Sequence, residues 1–284
     1  MIQPSDKPQN KTSHRDGSRR FSNTLPTRWQ TEVFNREPLA RLQRLFNIQA
    51  LDTWPDCEWL NQDSAVPHRF VAQDSLDMGG LSYEAFIAQY RQVPTRTRNW
   101  HDLFNALIWR QFPKAKAALN GLHMQDIDTH GANRRTPRRD RITHFDECGV
   151  VLAYSDALVP ALLADHQWHQ GFVTHRQQWG KTVQAFNFGH ANDEMLLNPY
   201  IGLTGKWLGV QVAAHFFEAS CSLSEQLTML DSALQERLTE ENCLAQKGHL
   251  HPLPLLGVPG WWQANQQPDF YQNRAYFMPK RRAR

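Results

Sequence analysis

No stretch of this 284-residue sequence has the 18 or so consecutive apolar residues that a bilayer-crossing helix needs. The nearest approach, Ala157 to Ala164, is eight residues long and contains Pro160. Cysteine is scarce: Cys57, Cys148, Cys221 and Cys243 stand far apart with no C-x-x-C pair. That excludes a zinc ribbon and a thioredoxin-type motif, and reduced, mostly buried thiols are the expectation. There is no G-x-G-x-x-G, no H-E-x-x-H and no G-x-S-x-G, so dinucleotide-binding, zincin and serine-esterase readings have no support. Gly202-Leu-Thr-Gly-Lys206-Trp207 resembles the end of a phosphate loop, but Tyr200 and Trp207 stand where that loop requires glycine and Ser or Thr. The first residues lack the apolar core of a secretory signal, and Asp6 and Asp16 argue against a transit peptide, which points to a cytoplasmic protein.

What is present is the composition of a soluble globular chain, 40% hydrophobic and 21% charged. The net charge of +3 hides a strong segregation. Residues 91–141 hold 11 basic against 4 acidic side chains, whereas residues 142–273 hold 5 against 13. Both ends are basic. Residues 1–28 are rich in Ser, Asn, Pro, Lys and Arg and too poor in apolar side chains to offset the entropy of ordering, so a flexible tail is expected there. Residues 280–284 form a short basic end, and residues 29–279, with no internal repeat and no Gly/Ser linker, are expected to form a single globular domain.

Periodicity predicts helices over Glu37 to Leu51, over Ser82 to Arg91 with Ser82 as cap, and over Asn99 to Phe112. In the last of these, Trp100, Leu103, Phe104, Leu107 and Ile108 recur on one stripe with Asn99 as cap. Pro113 ends that helix and can open the next, Lys114 to Ile127, giving a helical hairpin. His130 to Asp140 reads as an exposed loop. Ile142 to Tyr154 reads as a β-hairpin whose Gly149 supplies a positive φ, with a helical start as the competing reading. A helix capped by Asp156 toward His166, strands over Thr182 to Phe188 and Lys206 to Val212, a helix over Ser222 to Cys243 and an extended strap over Pro252 to Pro279 complete an α+β fold dominated by helices.

Titratable groups concentrate between residues 91 and 147. His101, Asp102, His123, Asp140 and His144 are the candidates for acid/base or metal-ligand work, because imidazoles and carboxylates together can bind a divalent metal and activate water. Asn105, one helical turn from His101, together with Lys116, Arg138 and Arg139, would hold an anionic substrate through charge-assisted hydrogen bonds. Asp140, His144, Asp146 and Glu147 are the densest group of acids and histidine, of a kind that metal-assisted phosphoester hydrolysis could use, but Asp146 and Glu147, just ahead of Cys148-Gly149, read better as ordinary turn residues. His190 and Glu194 form an i, i+4 pair if a helix starts near Gly189.

The run Pro94-Thr-Arg96, Asn99-Trp-His-Asp-Leu-Phe-Asn-Ala-Leu107, Phe112-Pro113, Leu119-Asn120 and His123 is similar to an uncharacterised proteobacterial family, the domain of unknown function numbered 3025. Arg139-Asp140, Phe145-Asp-Glu-x-Gly149, Phe188-Gly-His190-Ala, Gly202-Leu-Thr204 and Pro254-Leu-Leu-Gly-Val-Pro-Gly260 carry the same resemblance. It spans roughly residues 30 to 279, implies one full-length domain, and assigns no activity to any residue. Two functional readings remain: a metal-assisted hydrolase on an anionic small molecule such as a phosphoester, and a non-catalytic protein whose basic block binds nucleic acid or an acidic protein partner.

Overall fold

The computed structural model describes residues 28–62 and 66–280; the basic tail expected at residues 1–28 and the basic end at 280–284 lie almost wholly outside the described residues. The fold is α+β and helix-dominated. Its helices are α1 (Ala40–Phe46), α2 (Cys57–Leu60), α3 (Tyr83–Tyr90), α4 (Trp100–Gln111), α5 (Pro113–His130), α6 (Pro137–Cys148), α7 (Leu158–Ala164), α8 (His190–Met195) and α9 (Leu223–Thr239). Its strands are β1 (Arg69–Ala72), β2 (Gln92–Thr95), β3 (Gly149–Tyr154), β4 (Val183–Asn187), β5 (Thr204–Gln211) and β6 (His251–Pro254). Strands β1 and β2 form a small parallel pair, and the others form one sheet in the order β4-β3-β5-β6.

The sheet divides the core. Along β3, Val150 and Leu152 face one apolar cluster with Trp100, Leu103, Phe104 and Leu107 of α4. Val151 and Ala153 face the other, built on α5, α6 and α9. Covered on both faces, β3 is a continuous apolar run, as expected for a strand with a parallel neighbour.

Local signals explain the helical hairpin. Asn99 Oδ1 accepts from the Asp102 N–H at 3.0 Å to start α4. Phe112 ends α4, and Pro113 opens α5, where its missing N–H costs nothing. The next two N–H groups of α5, Lys114 and Ala115, donate to the Asp231 carboxylate of α9 at 3.0 and 2.9 Å. Helix α3 begins on Ser82 and α9 on a Ser222/Glu225 capping box.

The expected hairpin over residues 142–154 is wrong. Thr136 caps a helix that Pro137 opens, and that helix runs through Glu147 to Cys148 before entering β3 directly. Ile142 and Phe145, three apart, are its fully buried residues. Gly149 has φ −69°, so its role is not a positive φ; a Cβ there would lie 2.2 Å from the Phe145 carbonyl oxygen. The expected helix over 37–51 is also broken, because Asn47 takes a left-handed φ of 48° and ends α1. Helix α7 stops at Ala164, and α9 stops at Thr239, short of Cys243. The strap is extended only in part: His251–Pro254 join the sheet, and Leu255–Gly257, Gln263–Gln266 and Pro268–Gln272 are short 3-10 helices. The Tyr276 hydroxyl fastens the strap, donating to the Leu203 carbonyl at 2.6 Å and accepting from the Leu256 N–H at 3.0 Å.

Beneath α8 lies a buried pair of charged residues. Arg41 donates to the Asn187 carbonyl at 2.9 Å and covers the Phe186 ring. Burial pushes the neighbouring Asp193 carboxyl up to about 7, although Arg41 and Asn187 act to lower it. The folded protein therefore holds this proton more tightly than the unfolded chain, whose Asp titrates near about 3.9. The group's stabilising contribution is complete below the unfolded value and lost as pH rises through about 7. In urea unfolding from pH 4 to 8, wild type should lose stability relative to Asp193→Asn; a pH-independent difference would contradict this.

Candidate metal centre

Three helix ends converge beside the sheet. Helix α4 supplies His101 from its first turn, α6 supplies Glu147 from its last, and α8 supplies His190 as its first residue. The ends of α6 and α8 are locked backbone to backbone: the Phe188 and Gly189 N–H groups both donate to the Gly149 carbonyl, at 3.1 and 2.8 Å. Asn192 Nδ2 donates to the same oxygen at 3.2 Å. A Cβ on Gly189 would stand 2.3 Å from the Glu147 carbonyl oxygen, so only glycine permits this approach.

The ligand-type atoms form a triangle. His101 Nε2 and His190 Nε2 are 3.0 Å apart, and Glu147 Oε2 lies 3.4 Å from the His190 nitrogen and 3.9 Å from that of His101. Metal bonds of 2.0–2.1 Å place the donors of a tetrahedral site about 3.3 Å apart, and the three edges bracket that value. His190 is buried, whereas the His101 and Glu147 side chains are 30% and 38% exposed. The triangle thus lies at the boundary between the core and the surface.

Hydrogen bonding sets the tautomer of His101, whereas the buried Nδ1 of His190 has no hydrogen-bond partner among the described residues. His101 Nδ1 lies 2.9 Å from Glu194 Oε2, one turn along α8 from His190. The Nδ1–H donates to that carboxylate, which leaves a lone pair on Nε2. Burial drives His190 down to about 3, so it is neutral at physiological pH. Burial acts to lower His101 too, but the Glu194 hydrogen bond and the Glu147 and Glu194 charges more than offset it and raise the pKa. Burial raises Glu147, with the Asp146 charge adding to the effect. At 3.0 Å the two Nε2 atoms need a proton or a cation between them, and an Nε2–H tautomer of neutral His190 donating to His101 satisfies the contact as a metal would.

A second polar network adjoins the triangle. Lys116, almost wholly buried, donates to Asn105 Oδ1 at 2.9 Å and to Asp146 Oδ1, while Asn105 Nδ2 donates to the Tyr83 hydroxyl at 2.9 Å. Burial would raise Asp146, but Lys116 and His190 hold it below the usual carboxylate range. His123 lies close enough to feel Asp146 and Lys116, and burial lowers it.

Of the residues singled out from sequence, His101 falls in the triangle, and Asn105, Lys116 and His123 fall in the adjoining network. Asp102 turns to Arg96 instead, accepting from its Nε at 3.0 Å and Nη2 at 2.8 Å. Asp140 is exposed and paired with Arg135 at 3.3 Å, and His144 is exposed with no hydrogen bond to the triangle among the described residues. Arg138 donates to Gln125 and Asn242, and Arg139 to the Ala132 carbonyl. The sequence places Glu147 among its acid and histidine candidates but favours a turn role for it, and it pairs His190 with Glu194 without joining either to His101. The His190-x-x-x-Glu194 spacing after Gly189 was the signal.

A family model described as "Protein of unknown function (DUF3025)" matches residues 68–281. No curated protein and no solved structure matches the chain.

Proposed function

The chain belongs to the DUF3025 family of proteins of unknown function, a premise that supplies no activity, and from the chemistry of the site we propose a metal-dependent hydrolase acting on an anionic small molecule. The observation that carries the proposal is the convergence of His101 Nε2, His190 Nε2 and Glu147 Oε2 within 3.0–3.9 Å at the boundary between core and surface. His101, His190 and Glu147 would hold a zinc-type ion, which when bound would supply Lewis acidity and lower the pKa of a bound water. Glu194 orients His101 by holding its Nδ1–H. Lys116 keeps Asp146 ionised beside His190, in a position to bind or orient the reacting groups. The working unit is residues 29–279, and its setting is the cytoplasm, in keeping with four free thiols. Among the described residues no helix is long and apolar enough to cross a membrane.

The competing reading, a binder of nucleic acid or an acidic protein, has less to rest on, because Arg138, Arg139 and Arg141 have donors engaged within the chain, although their charge stays in place. Two histidines and one carboxylate also suit ferrous iron, so the test uses several metals. Chelator-treated protein reloaded with zinc, manganese or ferrous ion is assayed on chromogenic carboxylic esters and phosphoesters. Metal-restored turnover that His101→Ala abolishes is expected. Failure to bind any of these ions, or turnover indifferent to His101→Ala, would overturn the proposal.

A further inference from the structure

Arg96 stands between β2 and α4, and Asp102, the residue after His101, grips one edge of its guanidinium. Nε donates to Asp102 Oδ2 at 3.0 Å, Nη2 to Oδ1 at 2.8 Å, and the Arg96 backbone N–H to Oδ2 at 2.7 Å. The carboxylate is itself nearly buried, its side chain 11% exposed, while the Arg96 side chain is 50% exposed. One edge of the fork is therefore fixed and the other faces solvent, and among the described residues no protein acceptor meets its Nη1. The charges of Glu194 and Tyr83 both reach this guanidinium, and the Asp102 charge reaches His101. Through Asp102, Arg96 is thus tied to the first turn of α4, the turn that carries His101.

We propose that Arg96, held by Asp102, is the anion-recognition residue of the site and receives a phosphoryl or carboxylate oxyanion of the substrate on its free edge. This rests on the metal-dependent hydrolase reading. A planar guanidinium offers paired N–H donors to two oxygens of one oxyanion, an arrangement that a lysine ammonium cannot reproduce. Because Asp102 has already fixed the guanidinium, little side-chain entropy remains to be lost when an anion docks. The role that charge density assigns to Arg138 and Arg139 passes to a single arginine tied to the turn that carries His101.

The test uses full-length protein loaded with cobalt(II), whose visible spectrum reports on its ligands, titrated separately with inorganic phosphate and with acetate. In wild type one of these anions should perturb the spectrum at saturating concentration; the phosphate arm identifies a phosphoryl group and the acetate arm a carboxylate. Arg96→Gln should weaken that anion by about tenfold or more, Arg96→Lys should recover only part of the loss, and cobalt affinity should stay at the wild-type level in both. A salt clip with no binding role predicts the same anion affinity in Arg96→Gln as in wild type, and that result would overturn the assignment while leaving the metal centre intact. An absence of any anion response in wild type would do the same. Failure of cobalt(II) to bind wild type would overturn the metal centre and this inference with it.

Discussion

Replacing His190 by alanine should abolish stoichiometric metal binding while the chain remains folded. His190 is the one fully enclosed member of the triangle, and its Nε2 makes the two shortest edges, to His101 and Glu147. With it gone, two half-exposed side chains on separate helices remain, and neither is held in place by the other. The loss in affinity should exceed the roughly 10–100-fold typical of removing an outer-shell partner. Glu194→Gln provides the contrast: its amide oxygen can still accept the His101 Nδ1–H, so the affinity should fall only within that smaller range. Equilibrium dialysis with zinc, read beside circular dichroism and melting curves, separates the two variants. Wild-type-like zinc binding in His190→Ala would exclude the triangle as the site.

The second large effect is on stability. Gly189→Ala should destabilise the protein by at least the upper part of the about 1–3 kcal/mol usual for overpacking. The new methyl would meet the Glu147 carbonyl at 2.3 Å and the Gly149 nitrogen at 2.4 Å, and neither atom can rotate away. Relief requires the end of α6 to part from the start of α8. Because those ends carry Glu147 and His190, metal affinity should fall along with stability. Gly121→Ala serves as the control: it lies within α5 with open space where its Cβ would go, and the change should stabilise by about 0.5–1 kcal/mol through helix propensity alone. Urea midpoints of the two variants should move in opposite directions. An unchanged midpoint for Gly189→Ala would contradict the backbone contact.

Legibility from sequence followed the range of the interactions only in part. The α4–α5 hairpin was readable because its stripe, its Asn99 cap and Pro113 are all local. Helix α6 is obscured by Asp146-Glu147 before Gly149, which suits a turn, and by the apolar run that follows; its Thr136 cap, Pro137 and the i, i+3 pair Ile142 and Phe145 are local signals as plain as those of α4, and only the burial of that pair against α5 and α9 depends on tertiary packing. The ligands were hidden by separation along the chain. His101, Glu147 and His190 are 46 and 43 residues apart, and no short pattern spans such gaps. In the arginine block, charge counting shows where basic side chains collect but not which acceptors they meet. Arg141, for instance, spends its guanidinium on the Leu244 and Ala245 carbonyls.

Strand β6 has a bearing on how copies of the chain can meet. The Leu255 N–H points inward to the Leu203 carbonyl, so by the alternation of an extended strand the nitrogens of Leu253 and His251 also face β5, and those of Pro252 and Pro254 face outward. On this margin of the sheet the outward nitrogens are proline nitrogens and carry no hydrogen to donate. A strand from another molecule laid along β6 would find carbonyl acceptors but no matching donors at these positions, so the ladder could not continue. The same four residues that complete the sheet also end it, and they guard that margin against self-association by strand addition.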